Sequence, residues 1–282
     1  MKRFTLGLAL SSLALSTVLI AAPARVSATA PATILAASIP DLKTRGTLTF
    51  GTNFGYPPME IFANGDPSKP TGADVDLGTA IAKKLRLTPS FFNVTDFGVI
   101  ITGLQSHRWD VILSSLNITP GREKTMNFVA YANVGQSILV RKGNSEHIMS
   151  LADLSGKSVA AQISTVEVDS INAQNKVLSS KHKAQIKLSV FPEDTTGIQG
   201  LATGRFDAVL TDYTVAVYNA TKRSNLFQLA GQQFAPAPYG MAFRKSDKAL
   251  LSAVKGAFDA LRKDGTYTKI MNKYGLGQAI LK

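Results

Sequence analysis

Residues 96–128 read DFGVIITGLQSHRWDVILSSLNITPGREKTMNF. Phe97 to Leu104 has the spacing of a helix start, and Asp110–Leu113 is an apolar run short enough for a buried strand. Ser114, Ser115 and Asn117 then stand at the exposed end of that strand. A Thr119-Pro120-Gly121 turn follows and leads to Arg122. Hydroxyls, an amide and a guanidinium at one strand tip, with no evident nucleophile, point to holding a small polar molecule.

The alternation continues on both sides. Thr47–Thr52 is a β-rich run stopped by Asn53-Phe54-Gly55-Tyr56-Pro57-Pro58. Asn64-Gly65-Asp66-Pro67 predicts a turn or hairpin tip. Leu77, Ile81 and Leu85 recur every four residues, with Lys83 and Lys84 in the last turn, which predicts an amphipathic helix from Asp74. Phe91–Val94 reads as a strand. Downstream the pattern repeats: strands at Gln136–Val140, Ser158–Ile163, Ile186–Phe191, Ala208–Leu210 and Met241–Arg244, with helices from Val166, over Thr196–Ala202 and through Leu250, Val254, Phe258 and Leu261. Leu151–Lys157 reads as turn-like.

Short strands alternating with helices imply an α/β fold with parallel pairing. Two such units in series imply two lobes. Ligands of open α/β sheets bind outside the carboxyl ends of strands, which singles out Asn53, Ser114–Asn117 and Asp212. There is no short-period repeat, and no low-complexity tract after residue 40.

The chain has 282 residues, no cysteine and a formal net charge of +12. Lys2 and Arg3 precede an apolar stretch, Leu6 to Ile20, followed by small residues including Val26-Ser27-Ala28 and Ala28-Thr29-Ala30. That is the pattern of a secretory signal peptide over residues 1–30, too short in its apolar part for a membrane span. Removing it takes away Lys2, Arg3 and Arg25 and no acid, so the remainder stays basic. Its basic groups are scattered among acids, with no like-charge block of the kind that binds nucleic acid. Without cysteine there are no disulfides and no Cys-based metal sites. The expected partner list is therefore short: a small ligand, no cofactor and no nucleic acid, for a chain free in an extracytoplasmic compartment.

Enzyme motifs are mostly missing. No G-x-S-x-G elbow, Walker loop or H-E-x-x-H occurs, and His107, His147 and His182 all sit in polar surroundings. The Asp74/Asp76 pair suits a helix N-terminus better than acid–base chemistry. Arg122 and Asp212 together offer one fixed cation and one fixed anion. A zwitterionic α-amino acid has the complementary groups, a carboxylate for Arg122 and an ammonium for Asp212.

At this point the residues resemble a known family, the polar amino-acid-binding proteins of bacterial ABC importers, solute-binding family 3. GTNFGYPPMEI (51–61) resembles its opening strand and aromatic-proline turn. TGADVDLGTAIAKKL (71–85) resembles its G-x-D-V-D-L-A-x-A-I-A-K helix, with Gly78 in place of the usual Ala. Residues 96–128 resemble the segment ending in I-T-x-x-R and an F-S-x-P-Y strand. LADLSGKSVAAQISTVE (151–167), LATGRFDAVLTDY (201–213) and LRKDGTYTKIMNKYG (261–275) match in turn the start of the second lobe, the L-x-x-G-x-x-D-A-x-x-x-D strand and the closing helix.

The resemblance implies a two-lobed periplasmic-binding-protein fold (type II), each lobe a mixed sheet flanked by helices, joined by two crossing strands. Lobe 1 would be residues 40–134 plus 236–282, and lobe 2 residues 135–235. It implies a receptor that hands an amino acid to a membrane permease. Arg122 would meet the ligand carboxylate and Asp212 its ammonium. Ser114, Ser115 and Asn117 would add hydrogen bonds, Thr165 would donate to the carboxylate, and Tyr56 and Phe97 would sandwich the side chain. Some positions depart from the pattern. Ser164 stands where the family often has Gly, Val166 where a hydroxyl is frequent, and Val129 and Tyr131 replace the serine and proline of F-S-x-P-Y. Asn53 stands where binders of cationic amino acids place an acid, a charge that Glu167 would restore if it faced the pocket. A few members of the fold are cyclohexadienyl dehydratases, for which Glu167 would be the cleft acid. A sensor domain acting through a membrane partner is a third reading.

Overall fold

Trp109 explains much of the first half of the molecule. Its ring is fully buried, and it lies so close to Gly51 and Gly103 that a Cβ at either would come within 2.5 and 2.0 Å of the indole. Only glycine permits that approach. The ring thereby locks the short helix α2 (Ile100–Gln105) against β1 (Thr47–Thr52) and β5 (Val111–Ile112). The computed structural model describes residue 1, residue 39 and residues 42–281. The signal-peptide reading of residues 1–30 rests on residues outside those described.

Between β1 and α2 lie a two-stranded hairpin, β2 (Ile61–Phe62) with β3 (Pro70–Thr71), then α1 (Ala73–Lys84) and β4 (Thr88–Asn93). The predicted face of α1 is the buried one: Leu77, Ile81 and Leu85 enter the core. Gly78 has a packing reason. Phe50 and Phe91 stack with centroids 5.0 Å apart, and a Cβ at 78 would lie 3.0–3.2 Å from Leu113, Phe91 and Phe50. Asp74 and Asp76 stand in the first turn of α1, as expected, but Asp74 has a second engagement. It is buried and accepts from the Ser115 N–H and the Tyr131 hydroxyl.

After the single turn α3 (Pro120–Glu123) comes β6 (Met126–Arg141). The second half holds β7 (Ser158–Gln162), α4 (Val166–Ser180), β8 (Lys187–Phe191), α5 (Asp194–Ala202), β9 (Ala208–Asp212) and α6 (Tyr213–Lys222). β10 (Phe227–Arg244) returns to the first half, where α7 (Lys248–Lys263) and α8 (Thr266–Lys273) close the described chain. Gly265, in the left-handed region at φ 79°, divides the single closing helix of the family pattern into α7 and α8.

The eight strands form one sheet in the order β4-β1-β5-β10-β6-β9-β7-β8. Each half has three parallel strands and one long antiparallel strand. The two long strands, β6 and β10, pair with each other and join the halves. Sequence periodicity showed only their ends, Gln136–Val140 and Met241–Arg244. Their pairing shifts register between Ala230 and Phe234, between Phe234 and Ala237, and between Tyr239 and Gly240. Pro236, Pro238, Gly231 and Gly240 cluster there and make the stretch read as loop. All of these elements fall in one compact unit. Among the described residues no helix is long and apolar enough to cross a membrane.

Candidate functional site

All ten residues singled out from the sequence line one cavity: Asn53, Tyr56, Phe97, Ser114, Ser115, Asn117, Arg122, Thr165, Glu167 and Asp212. Glu60 and Gln162 join them. The free volume it encloses is only about 10 Å³. A larger groove of about 320 Å³ lies elsewhere, lined by residues such as Tyr213, Tyr218, Tyr274 and Leu276 and by none of the ten. Size alone would favour that groove, but the convergent charges favour the smaller cavity.

The strand-end rule accounts for most of the placements. Asn53 follows β1, Ser114, Ser115 and Asn117 follow β5, Thr165 and Glu167 follow β7, and Asp212 ends β9. Arg122 is presented by α3. Thr119 caps that turn by accepting from the Arg122 N–H at 3.3 Å, and Pro120 occupies the first turn, where its missing donor costs nothing. The guanidinium then donates to the Asn117 carbonyl at 2.7 Å and, across the cleft, to the Ser164 carbonyl at 2.6 Å. Ser164 sits at φ 61°, in the left-handed region. That conformation is natural for glycine, which accounts for the family's preference there.

Asp212 immediately precedes α6 but makes no side-chain cap. Its Oδ2 accepts from the Tyr56 hydroxyl at 2.7 Å, so the two halves meet at this carboxylate. After the Arg122–Ser164 bond, a third polar bridge joins Gln162 Nε2 to Asn53 Oδ1 at 2.8 Å, and a fourth joins the Phe97 N–H to the Pro192 carbonyl at 3.2 Å. The Thr165 hydroxyl is engaged locally, donating to the Gln162 carbonyl at 2.7 Å rather than facing the cavity as a free donor. Tyr56 and Phe97 are both buried.

Glu60 was not foreseen. Its two oxygens accept from the hydroxyls of Ser114 (3.1 Å) and Ser115 (3.3 Å), while Ser114 Oγ in turn accepts from the Asn53 N–H at 2.9 Å. With its proton directed at Glu60, Ser115 Oγ presents lone pairs to the cavity and acts there as an acceptor. Glu60 lies in the loop after Pro57-Pro58, where nothing in the local pattern marks it. Gln162 was missed as well: the strand read from the sequence ran on to Ile163, whereas β7 ends at Gln162, beside the cavity.

Burial dominates the electrostatics. It pushes Asp212 up to about 6, against the opposing hydrogen bond from Tyr56 and the field of Arg122. Asp194, just behind, is pushed up to about 7 by burial and by Asp212. Asp74 reaches about 7 through burial, opposed by its bonds from Ser115 and Tyr131. Burial also raises Glu60 and Glu167 well above the usual range, helped by Asp74 for Glu60 and by Asp212 for Glu167. Arg122 is lowered by burial, and Glu167, Asp169 and Asp212 oppose that shift.

Three cavity residues keep a buried polar atom with no partner among the described residues: Asp212 Oδ1, Glu167 Oε1 and Asn117 Nδ2. The first two need donors and the third needs an acceptor. Among the described residues no cluster of His, Cys, Asp and Glu could hold a metal ion.

A cleft between two α/β halves, walled by opposite charges, defines a two-lobed ligand-binding protein. The chain belongs to the bacterial extracellular solute-binding proteins, family 3, whose pattern matches residues 48–278. It is 31% identical over 234 residues to the L-cystine-binding protein TcyJ of Escherichia coli (strain K12), covering 83% of this chain and 84% of that one. Among solved structures it is similar to an ancestral arginine-binding protein bound to glutamine (36% identity, TM-score 0.74, 83% of this chain and 99% of that one). It is also similar to the ancestral amino acid-binding protein AncCDT-1, a precursor of cyclohexadienyl dehydratase (34% identity, TM-score 0.71, 82% and 96%).

Proposed function

We propose that this chain is an extracytoplasmic receptor that binds a polar α-amino acid between its lobes and delivers it to the membrane permease of an ABC importer. The observation that carries the reading is that Arg122 and Asp212, from opposite halves, wall one buried cavity. Arg122 takes the ligand carboxylate, with Asn117 Nδ2 as a second donor. Asp212 Oδ1 and Glu167 Oε1 accept from the ammonium, and Ser115 Oγ is oriented by Glu60 to do the same. Tyr56 and Phe97 flank the side chain, and Ser114 and Thr165 hold the neighbouring backbone. The lobes are residues 40–134 plus 236–282 and residues 135–235, a division supported by the register breaks in β10.

An open cleft would leave these groups in water, where exposed ion pairs contribute about 0–1 kcal/mol. Excluding water strengthens each contact, so the ligand favours the closed state through its differential affinity. The names of the relatives support a receptor rather than a dehydratase, since TcyJ and both solved neighbours are amino-acid binders by name. The N-terminal pattern supports export by a signal peptide, and the chain is proposed to act as a monomer without a cofactor.

The test is a thermal-shift screen of the purified protein against the twenty common amino acids and prephenate. A ligand bound only by the folded state raises the melting temperature. A rise with at least one amino acid is expected. Turnover of prephenate, or no shift with any amino acid, would overturn the reading.

A further inference from the structure

The end of the cavity between β1 and β7 is built from two carboxamides, Asn53 and Gln162, both buried. Their orientation is fixed by backbone carbonyls, which only accept. Asn53 Nδ2 donates to the Val94 carbonyl at 2.5 Å, and Gln162 Nε2 donates to the Pro192 carbonyl at 3.0 Å. Turning either amide over would set oxygen against oxygen. The two are then joined, Gln162 Nε2 to Asn53 Oδ1, at 2.8 Å.

Counting what is left gives a specific pattern. Both hydrogens of Gln162 Nε2 are used, so its remaining group is the Oε1 acceptor. One hydrogen of Asn53 Nδ2 is used, so one donor remains, beside a second lone pair on its Oδ1. A spare donor on Asn53 and a spare acceptor on Gln162, on two residues that both line the cavity, complement another carboxamide, whose carbonyl would meet Asn53 and whose NH₂ would meet Gln162. Among the described residues no charged side chain bonds to either amide. Glu167 and Asp212 group with Tyr56 and Arg122. Glu60 is the acid nearest Asn53, through Ser114, and both of its oxygens already accept from serine hydroxyls.

We propose that Asn53 and Gln162 form a side-chain subsite for a neutral carboxamide, so that the ligand is an amide-bearing α-amino acid such as glutamine and not a cationic or anionic one. The inference rests on the receptor reading and narrows it. A cationic head group would leave the Asn53 donor facing positive charge. A carboxylate would leave Gln162 Oε1 facing negative charge, and an apolar group would leave both unpaired. A site built to hydrogen-bond its substrate rejects analogues that lack the group far more strongly than an apolar pocket does.

Titration calorimetry on the full chain with L-glutamine, L-glutamate, L-lysine, L-arginine and L-methionine tests this. Glutamine is expected to bind at least about tenfold more tightly than each of the others. Equal or tighter binding of lysine, arginine, glutamate or methionine would overturn the subsite while leaving the receptor reading intact. No binding of any amino acid would overturn both. The variant Gln162→Leu removes the acceptor and, because leucine is apolar, moves the preference toward methionine. The glutamine-to-methionine affinity ratio is expected to fall to about one. A ratio unchanged from the parent would overturn the role of Gln162. If that variant does not fold, the ranking on the parent protein still decides.

Discussion

Residues 103–113, GLQSHRWDVIL, and residues 200–210, GLATGRFDAVL, are two versions of one device, one in each half of the molecule. Gly103 lies under Trp109 and Gly200 under Phe206, where a Cβ would come within 2.0 and 2.5 Å of the ring. Arg108 lies over Trp109 and Arg205 over Phe206. His107 at φ 56° and Gly204 at φ 79° make the same left-handed turn. Asp110 accepts from the Thr49 N–H and hydroxyl near the start of β1, as Asp207 does from those of Ser158 at the start of β7. The scaffolds agree, and then the sequences part. The first continues Ser114-Ser115-Leu116-Asn117 and leads to Arg122, while the second continues Thr211-Asp212. A common frame holds each strand tip still, and the tips carry opposite chemistry. Neither half alone can satisfy a molecule charged at both ends.

The strongest way to break that comparison is to remove the charge from one tip. Arg122→Met and Asp212→Asn are each expected to cost about 2–5 kcal/mol of amino-acid affinity, the scale for truncating one side of a buried charge pair. Calorimetric dissociation constants check this, and an unchanged value for either variant takes that residue out of the site. Next come the two glycines. Gly103→Ala is expected to cost about 3 kcal/mol of stability and Gly200→Ala about 2 kcal/mol, as overpacking against a buried ring outweighs the better helix propensity of alanine. Urea denaturation measures both. If Gly200→Ala costs more, the closer approach of Trp109 does not control the two sites.

Acidity separates folding from binding. Asp74, Asp194 and Asp212 titrate in the folded chain at about 7, 7 and 6. In the unfolded chain an aspartate titrates near about 3.9. Between these limits the folded state holds protons that the unfolded state releases. The ligand-free protein should therefore lose stability as pH rises from about 4 to 7. Binding should run the other way, because in the proposed site the ammonium needs Asp212 ionised, and the dissociation constant should rise by up to about tenfold per unit below pH 6. Melting temperatures and titrations across that range decide it, and parallel trends would contradict the scheme. The smallest effect concerns the first half alone. Gly78→Ala pushes a methyl group against the Phe50–Phe91 stack, and it is expected to lower stability by about 1 kcal/mol after the propensity gain is counted.

Much of this was legible because the information is local. The α1 face repeats every fourth residue, and Asn53, Ser114 and Asp212 stand where apolar strands stop. Other features depend on distant partners. Glu60 gains its meaning only when β5 brings Ser114 and Ser115 to it. Asp74 is a helix-terminus acid as read, but its bond from the Tyr131 hydroxyl was hidden because that partner lies far along the chain. The middles of β6 and β10 read as loop because their strand geometry comes from pairing with each other across register breaks, not from alternation.

Those breaks have a further consequence. In most α/β proteins the centre of the sheet is where backbone amides are slowest to trade hydrogen for deuterium. Here the centre is the junction itself, and residues 231–233 and 235–236 have no place in the β6–β10 ladder. Isotope uptake should therefore be fast in a narrow band at the middle of the sheet and slow on both sides of it.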